Sequence, residues 1–188
     1  MTIRSFIALP LPQAVANQLG DVSARMAYQD KSNAVRWVDQ ERYHVTLAFL
    51  GDQNIDDLEN IAAYLDETLG QSSPEVSVKR LSPFPESRPK LIAAMIEPNE
   101  VLSSLNRQVV SAVTACGLRM DKRRFIPHIT LGRYRHSKNL FSGAIPMNVS
   151  IETALDEVVL YESVLTNNGA EYEAIYRFPL DEFSFDEI

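Results

Sequence analysis

The stretches His44-Val45-Thr46-Leu47 and His128-Ile129-Thr130-Leu131 are near copies of one tetrapeptide, His, β-branched aliphatic, Thr, Leu, set 84 residues apart. They hold two of the chain's three histidines, and each lies in strand-like sequence. In an extended strand alternate side chains share a face. His44 and Thr46 then point one way and Val45, Leu47 and Phe49 the other, and His128 and Thr130 oppose Ile129 and Leu131 in the same manner. Each strand has an apolar back and a polar front of one imidazole and one hydroxyl. A small residue follows on the expected polar face, Ala48 in the first copy and Gly132 in the second, which leaves room for a ligand. Each front reads as half a cleft.

Two imidazoles on opposite sides of a bound phosphorus suit a displacement in which one takes a proton from the attacking oxygen and the other gives one to the leaving oxygen. Histidine serves both roles because its ordinary pKa is about 6.5. Thr46 and Thr130 can donate hydrogen bonds to the non-bridging oxygens, holding the phosphorus in line and stabilising the charge that develops there. This chemistry needs no metal and no cofactor. A single His-x-Thr in a strand is ordinarily a half-buried, satisfied histidine; it is the duplication that points to a paired site.

The longer segments Tyr43 to Gly51 and Phe125 to Arg133 resemble the two motifs of the 2H phosphoesterases, and most closely the RNA 2′,3′-cyclic phosphodiesterases, also called 2′-5′ RNA ligases. Flanking features extend the resemblance over nearly the whole chain: Arg4 to Pro10, Phe84-Pro85 to Pro89-Lys90, and Ser163 through Gly169-Ala170 to Tyr172. The resemblance implies hydrolysis of 2′,3′-cyclic phosphates on RNA 3′ ends or nucleotides to 2′-phosphates, together with reversible 2′-5′ RNA ligation. Carried onto matching positions, it makes His44 the proton donor and His128 the proton acceptor, with Thr46 and Thr130 on the phosphate. Residue alternation alone does not separate the two histidine roles. Similar proteins also carry an arginine near the phosphate at the position of Arg133. Strict alternation points Arg133 away from His128, so a twist or bulge at Gly132 is needed. Two alternatives stay open: a non-catalytic module that binds RNA ends, and a phosphodiesterase acting on 2′-5′ linked oligonucleotides or small cyclic phosphates. No His-x-His and no histidine-rich cluster suggests a metal site.

A chain of 188 residues with 45% hydrophobic content can bury one substantial core or two joined lobes. The net charge of −7 argues against nonspecific coating of nucleic acid. That average hides a basic segment: Arg119, Lys122, Arg123, Arg124, Arg133, Arg135 and Lys138 stand against the single acid Asp121 and bracket the second motif. No apolar run approaches the roughly 20 residues that span a bilayer, and no basic region followed by an apolar stretch opens the sequence. A cytoplasmic protein without membrane partners is expected. Without a long exposed heptad or apolar patch, a monomer is expected. Cys116 falls on an apolar helical stripe and reads as a structural thiol.

Taken in order, Thr2 to Leu9 reads as a strand and Pro10-Leu11-Pro12 opens a helix with Val15, Leu19, Val22 and Met26 on its buried face. Arg36 to Val38 suggests a short strand, in which Trp37 packs in the core or stacks a base. The first motif strand follows and is broken at Gly51-Asp52. Asn54 caps a helix carrying Leu58, Ile61, Leu65 and Leu69, and Glu75 to Leu81 and Lys90 to Glu97 form a hairpin with Phe84 at its turn. Asn99 caps a third helix, with Val101, Leu105, Val109 and Val113 inward and Gly117 at its end. After the second motif strand, Met147 to Ile151, Glu157 to Ser163 and Glu171 to Phe178 read as strands. Asn167-Asn168-Gly169 signals a hairpin turn. His136 reads as a surface residue. The pattern suits an α+β fold of two lobes, with helices outside antiparallel sheets. The resemblance adds a pseudo-two-fold axis and a central cleft lined by the His-x-Thr strands. Residues 1–188 form one bilobal domain in this reading, ending in an acidic tail from about 181 to 188.

Overall fold

The computed structural model describes residues 2–120, 124–136, 139–146, 149–166 and 169–181. Its elements in chain order are β1 (Thr2–Pro10), α1 (Gln13–Gln29), β2 (Val35–Trp37), a 3-10 turn (Gln40–Arg42), β3 (His44–Asn54), α2 (Ile55–Thr68), β4 (Glu75–Phe84), β5 (Leu91–Ile96), α3 (Glu100–Ala115), β6 (His128–Tyr134), β7 (Ile151–Ala154), β8 (Glu157–Thr166) and β9 (Gly169–Pro179). The nine strands form one antiparallel sheet in the order β7-β4-β5-β6-β3-β1-β8-β9, with β2 pairing β6 off that path. The expected α+β architecture is realised as two halves of one curled sheet. β6-β5-β4-β7 runs one way from the centre and β3-β1-β8-β9 the other. The two motif strands meet at that centre, where Val45 pairs with Ile129.

The helices cover one face of the sheet. Helix α1 follows Pro12, whose fixed φ and missing N–H suit the residue before a first turn. It buries Val15, Ala16, Leu19, Ser23 and Met26, so Ser23 takes an inward position beside the expected Val22, which is only partly covered. In α3 the Asn99 side chain accepts from the Leu102 amide at 2.9 Å, as its capping role predicts. The inward face is Leu102, Leu105, Val109, Ala112 and Val113; Leu105, Val109 and Val113 face inward as expected, while Leu102 is buried and the expected Val101 is only half-buried beside it. Asn54 stands at the N-cap position of α2 with extended backbone, but its side chain makes no capping bond. The core beneath is built from Ile7, Leu9, Val45, Leu47, Ile92, Ile129 and Leu131 with the helix faces.

Three expectations are corrected. Gly51 does not break the first motif strand: it takes a φ of +73° that glycine tolerates, and pairing with β1 continues from Ser5↔Gly51 to Thr2↔Asn54. The strand expected over Met147 to Ile151 begins only at Ile151, with Met147 and Asn148 outside the described residues. Cys116 is half-buried at the end of α3 rather than fully enclosed. The β8–β9 pairing continues to Thr166↔Gly169, while Asn167 and Asn168 lie outside the described residues. Of the acidic tail, residues 182–188 lie outside them too. Asp181 is tied to the body through Ser73 N–H donating to its carbonyl at 3.0 Å.

Candidate active site

Extending the Val45↔Ile129 register by one residue each way sets His44 across from Thr130 and Thr46 across from His128. The histidines therefore occupy one diagonal of a four-residue patch and the threonines the other. Diagonal neighbours on adjacent antiparallel strands stand roughly 7–8 Å apart at the backbone, a spacing that suits a phosphate held between the two imidazoles. All four side chains are half-buried on the face away from the helices.

Both imidazoles are held in the same way. His44 Nδ1 lies 2.7 Å from the Arg42 carbonyl and His128 Nδ1 lies 2.8 Å from the Ile126 carbonyl, in each case two residues back. A carbonyl only accepts, so each Nδ1 carries the proton and each Nε2 is left for a ligand. Each ring also lies against a phenylalanine at nearly the same angle: Phe6 at 5.0 Å and 37° for His44, Phe84 at 4.8 Å and 38° for His128. Tyr172 adds an edge contact to His44 at 5.4 Å. Burial pushes the His44 pKa down to about 4. Its bond to the Arg42 carbonyl opposes the shift, and the charges of Arg133 and His128 add to it. His128 is lowered too, first by burial and then by Arg133, against the pull of the Ile126 carbonyl.

Immediately after each threonine the strand bulges. In β3 the register with β1 passes from Ala8↔Thr46 to Ile7↔Ala48, with Leu47 extra. In β6 the register with β5 passes from Ala93↔Thr130 to Ile92↔Gly132, with Leu131 extra. A bulge inserts a residue and re-aims the side chains beyond it. The carbonyl of each extra leucine is satisfied from elsewhere: Asn106 Nδ2 of α3 donates to Leu47 at 2.8 Å, and the Val38 amide donates to Leu131 at 2.9 Å.

The bulges overturn the placement of the small residues. Ala48 is buried on the core side, and Phe49, expected at the back, is 67% exposed on the cleft face near Phe6. Gly132 likewise turns inward, where an added Cβ would run into Val35 and come within 3.1 Å of the Trp37 ring. The small neighbours of the threonines are instead Ala8 and Ala93, across the strands. The same irregularity turns Arg133 to the front, the bulge that its proposed place required. Its charge is felt by both histidines. Trp37 packs edge-on against Phe141 at 5.8 Å and is a packing residue, not a cleft residue.

The basic segment is described in part: Arg119, Arg124, Arg133 and Arg135 are exposed, while Lys122, Arg123 and Lys138 lie outside the described residues. His136 is exposed, as expected. Among the described residues, no three His, Cys, Asp or Glu side chains gather into a group that could hold a metal ion. No helix among them is long and apolar enough to cross a membrane. Phe6, Phe49 and Tyr172 at the site were not singled out as site residues from sequence. Their strands are legible, but their meeting at His44 depends on sheet order and on the bulge.

A diagonal pair of tautomerically fixed histidines, each with a threonine across the strand, on a curled antiparallel sheet defines a 2H phosphoesterase. The chain belongs to the 2′-5′ RNA ligase superfamily, whose sequence model matches residues 11–165. Among its relatives is a protein of Geobacillus stearothermophilus named RNA 2′,3′-cyclic phosphodiesterase, 29% identical over 93% of this chain, which spans 56% of that protein's length. A protein of the same name from Bacillus subtilis is 25% identical over 93% of this chain and 95% of its own. A crystal structure described as a phosphoesterase aligns at a TM-score of 0.80 with 25% identity, covering 96% of this chain and 99% of that one. E. coli LigT complexed with 3′-AMP shares the fold at a TM-score of 0.80 and 24% identity, with the same coverage.

Proposed function

We propose that this chain hydrolyses 2′,3′-cyclic phosphates on RNA 3′ ends or nucleotides to 2′-phosphates, using His44 and His128 as acid and base without a metal or cofactor. The observation that carries the reading is the matched pair of Nδ1-to-carbonyl bonds, which leave the Nε2 of two diagonally placed histidines available to a ligand. His128 Nε2 takes a proton from water as the water oxygen bonds to phosphorus. The bond from phosphorus to O3′ breaks, and His44 Nε2–H gives its proton to O3′. Thr46, Thr130 and Arg133 bind the non-bridging oxygens, where charge builds in the transition state. The exposed ring of Phe49 offers a surface on which a nucleobase can stack.

This scheme needs His44 protonated while His128 is neutral. Burial and the Arg133 charge keep both neutral in the empty cleft at pH 7. An incoming phosphate anion offsets the Arg133 charge and raises the affinity of a neighbouring imidazole for a proton, so substrate binding supplies the acid. A 5′-hydroxyl in place of water balances the same way: its oxygen bonds to phosphorus as His128 takes its proton, the bond to O3′ breaks with a proton from His44, and two ends are joined through a 2′-5′ bond. One copy of the chain supplies all five groups, so a monomer suffices. The test is incubation of the protein in EDTA with a short RNA ending in a 2′,3′-cyclic phosphate. A 2′-phosphate product is expected. A 3′-phosphate product, or tight binding of the RNA without turnover, would overturn the reading and favour, respectively, another ring-opening geometry or a binding module.

A further inference from the structure

Strand β2 extends the sheet beside the second motif, and its register places Arg36 directly opposite Arg133. Directly paired residues project to the same face at roughly 5 Å between backbones. The neighbours of Arg36 establish which face this is. Val35 is buried and Trp37 packs against Gly132 from the core side, so Arg36 lies on the cleft side with Arg133. Both arginines are exposed. Arg42, Lys79, Arg80, Arg107 and Arg177 each have a carboxylate partner, whereas among the described residues neither Arg36 nor Arg133 has one.

Like charges directly across a strand pair disfavour the pairing. Here two guanidiniums sit side by side in a chain whose net charge is −7 and whose acids outnumber its bases. Anionic oxygens placed between and beside them relieve that repulsion and accept guanidinium hydrogen bonds in a matching geometry. Arg133 is within electrostatic reach of both histidines and serves the reacting phosphate. Arg36 stands directly across from it on β2, on the side of β6 not taken by β5, roughly 5 Å away at the backbone.

We propose that Arg36, beside Arg133, forms a second phosphate subsite that takes the phosphate on the 5′ oxygen of the terminal nucleoside, so that RNA ends are selected over nucleoside cyclic monophosphates. The inference rests on the cyclic-phosphate reading above and deepens it. An RNA terminus always carries that 5′-linked phosphate, and a nucleoside 2′,3′-cyclic monophosphate never does. The smallest pair of substrates that isolates the contact is adenosine 2′,3′-cyclic phosphate with and without a 5′-phosphate.

The experiment compares kcat/KM for these two substrates in the native protein, Arg36→Gln and Arg36→Lys, with thermal unfolding of each variant as a folding control. The native protein is expected to prefer the 5′-phosphorylated substrate by roughly tenfold, the scale of one charge-assisted contact. Arg36→Gln brings that ratio close to one, Arg36→Lys leaves an intermediate ratio, and added salt compresses the native ratio. A native ratio of one, or a preference that survives Arg36→Gln, overturns the subsite while leaving the hydrolytic reading intact. Turnover of neither substrate by the native protein overturns both.

Discussion

Acidification should act on this protein through His44 before it acts through most of its carboxylates. The His44 pKa lies near 4 against an ordinary 6.5, first because the ring is buried and then because Arg133 and His128 add positive charge. The unfolded chain takes up this proton at higher pH than the folded one. The stabilising contribution is therefore complete above about pH 6.5 and is lost as pH falls toward 4. A shift of that size corresponds to about 3 kcal/mol at most, and the open cleft screens it, so about 1–3 kcal/mol is the expected range. The assay is urea unfolding of the native protein and His44→Gln at pH 7 and pH 4.5, with the His44 ring titrated by NMR. The native protein should lose about 1–3 kcal/mol more than the variant between those pH values, and the ring should titrate near 4. Addition of a nucleoside 2′-phosphate should move that titration upward. An empty-cleft titration at 6.5 or above, or equal pH sensitivity in the two proteins, would refute the account of burial and charge at this ring.

Arg133→Gln removes the charge that lowers both histidines, so both rings should titrate at higher pH by NMR, and kcat/KM on a cyclic phosphate should fall by about 10- to 100-fold. Unchanged titrations would place Arg133 outside the cleft. Thr46→Val and Thr130→Val keep shape and remove a donor, and each is expected to lower kcat/KM by roughly tenfold or more with little change in thermal unfolding. Gly132→Ala drives a Cβ into Val35 and toward Trp37, at a cost of about 1–3 kcal/mol in urea unfolding. A neutral result there would contradict the inward turn of the β6 bulge.

The motif strands are legible in the sequence because their signal is local: a repeated His-x-Thr with apolar residues behind it. Helix faces are legible for the same reason, through the spacing of Leu105, Val109 and Val113 or of Leu58, Ile61 and Leu65. The bulges at Leu47 and Leu131 are not, because nothing in strand periodicity announces an extra residue. The groups that satisfy the displaced carbonyls are non-local: the Asn106 side chain from α3 and the Val38 amide after β2. Alternation therefore misplaces Phe49, Ala48 and Gly132, while the family resemblance, which expects an arginine near the phosphate at the position of Arg133, calls for a bulge at Gly132. Gly51 reads as a break because glycine ends strands as readily as it bends them. Pairing with β1 keeps this one in the sheet. Phe6 and Phe84 lie on separate strands far apart in sequence, and only the sheet order brings one to each histidine.

The central claim is that His44 and His128 act together on one phosphorus. Its most direct test is kcat/KM for a 2′,3′-cyclic phosphate, in EDTA, for the native protein, His44→Ala, His128→Ala and the double variant. Each single variant is expected to lose about 10²–10⁴-fold, and the double variant little more than the worse single one, since the two rings serve a single transition state. Retention of activity within about tenfold of native by either single variant would contradict the claim.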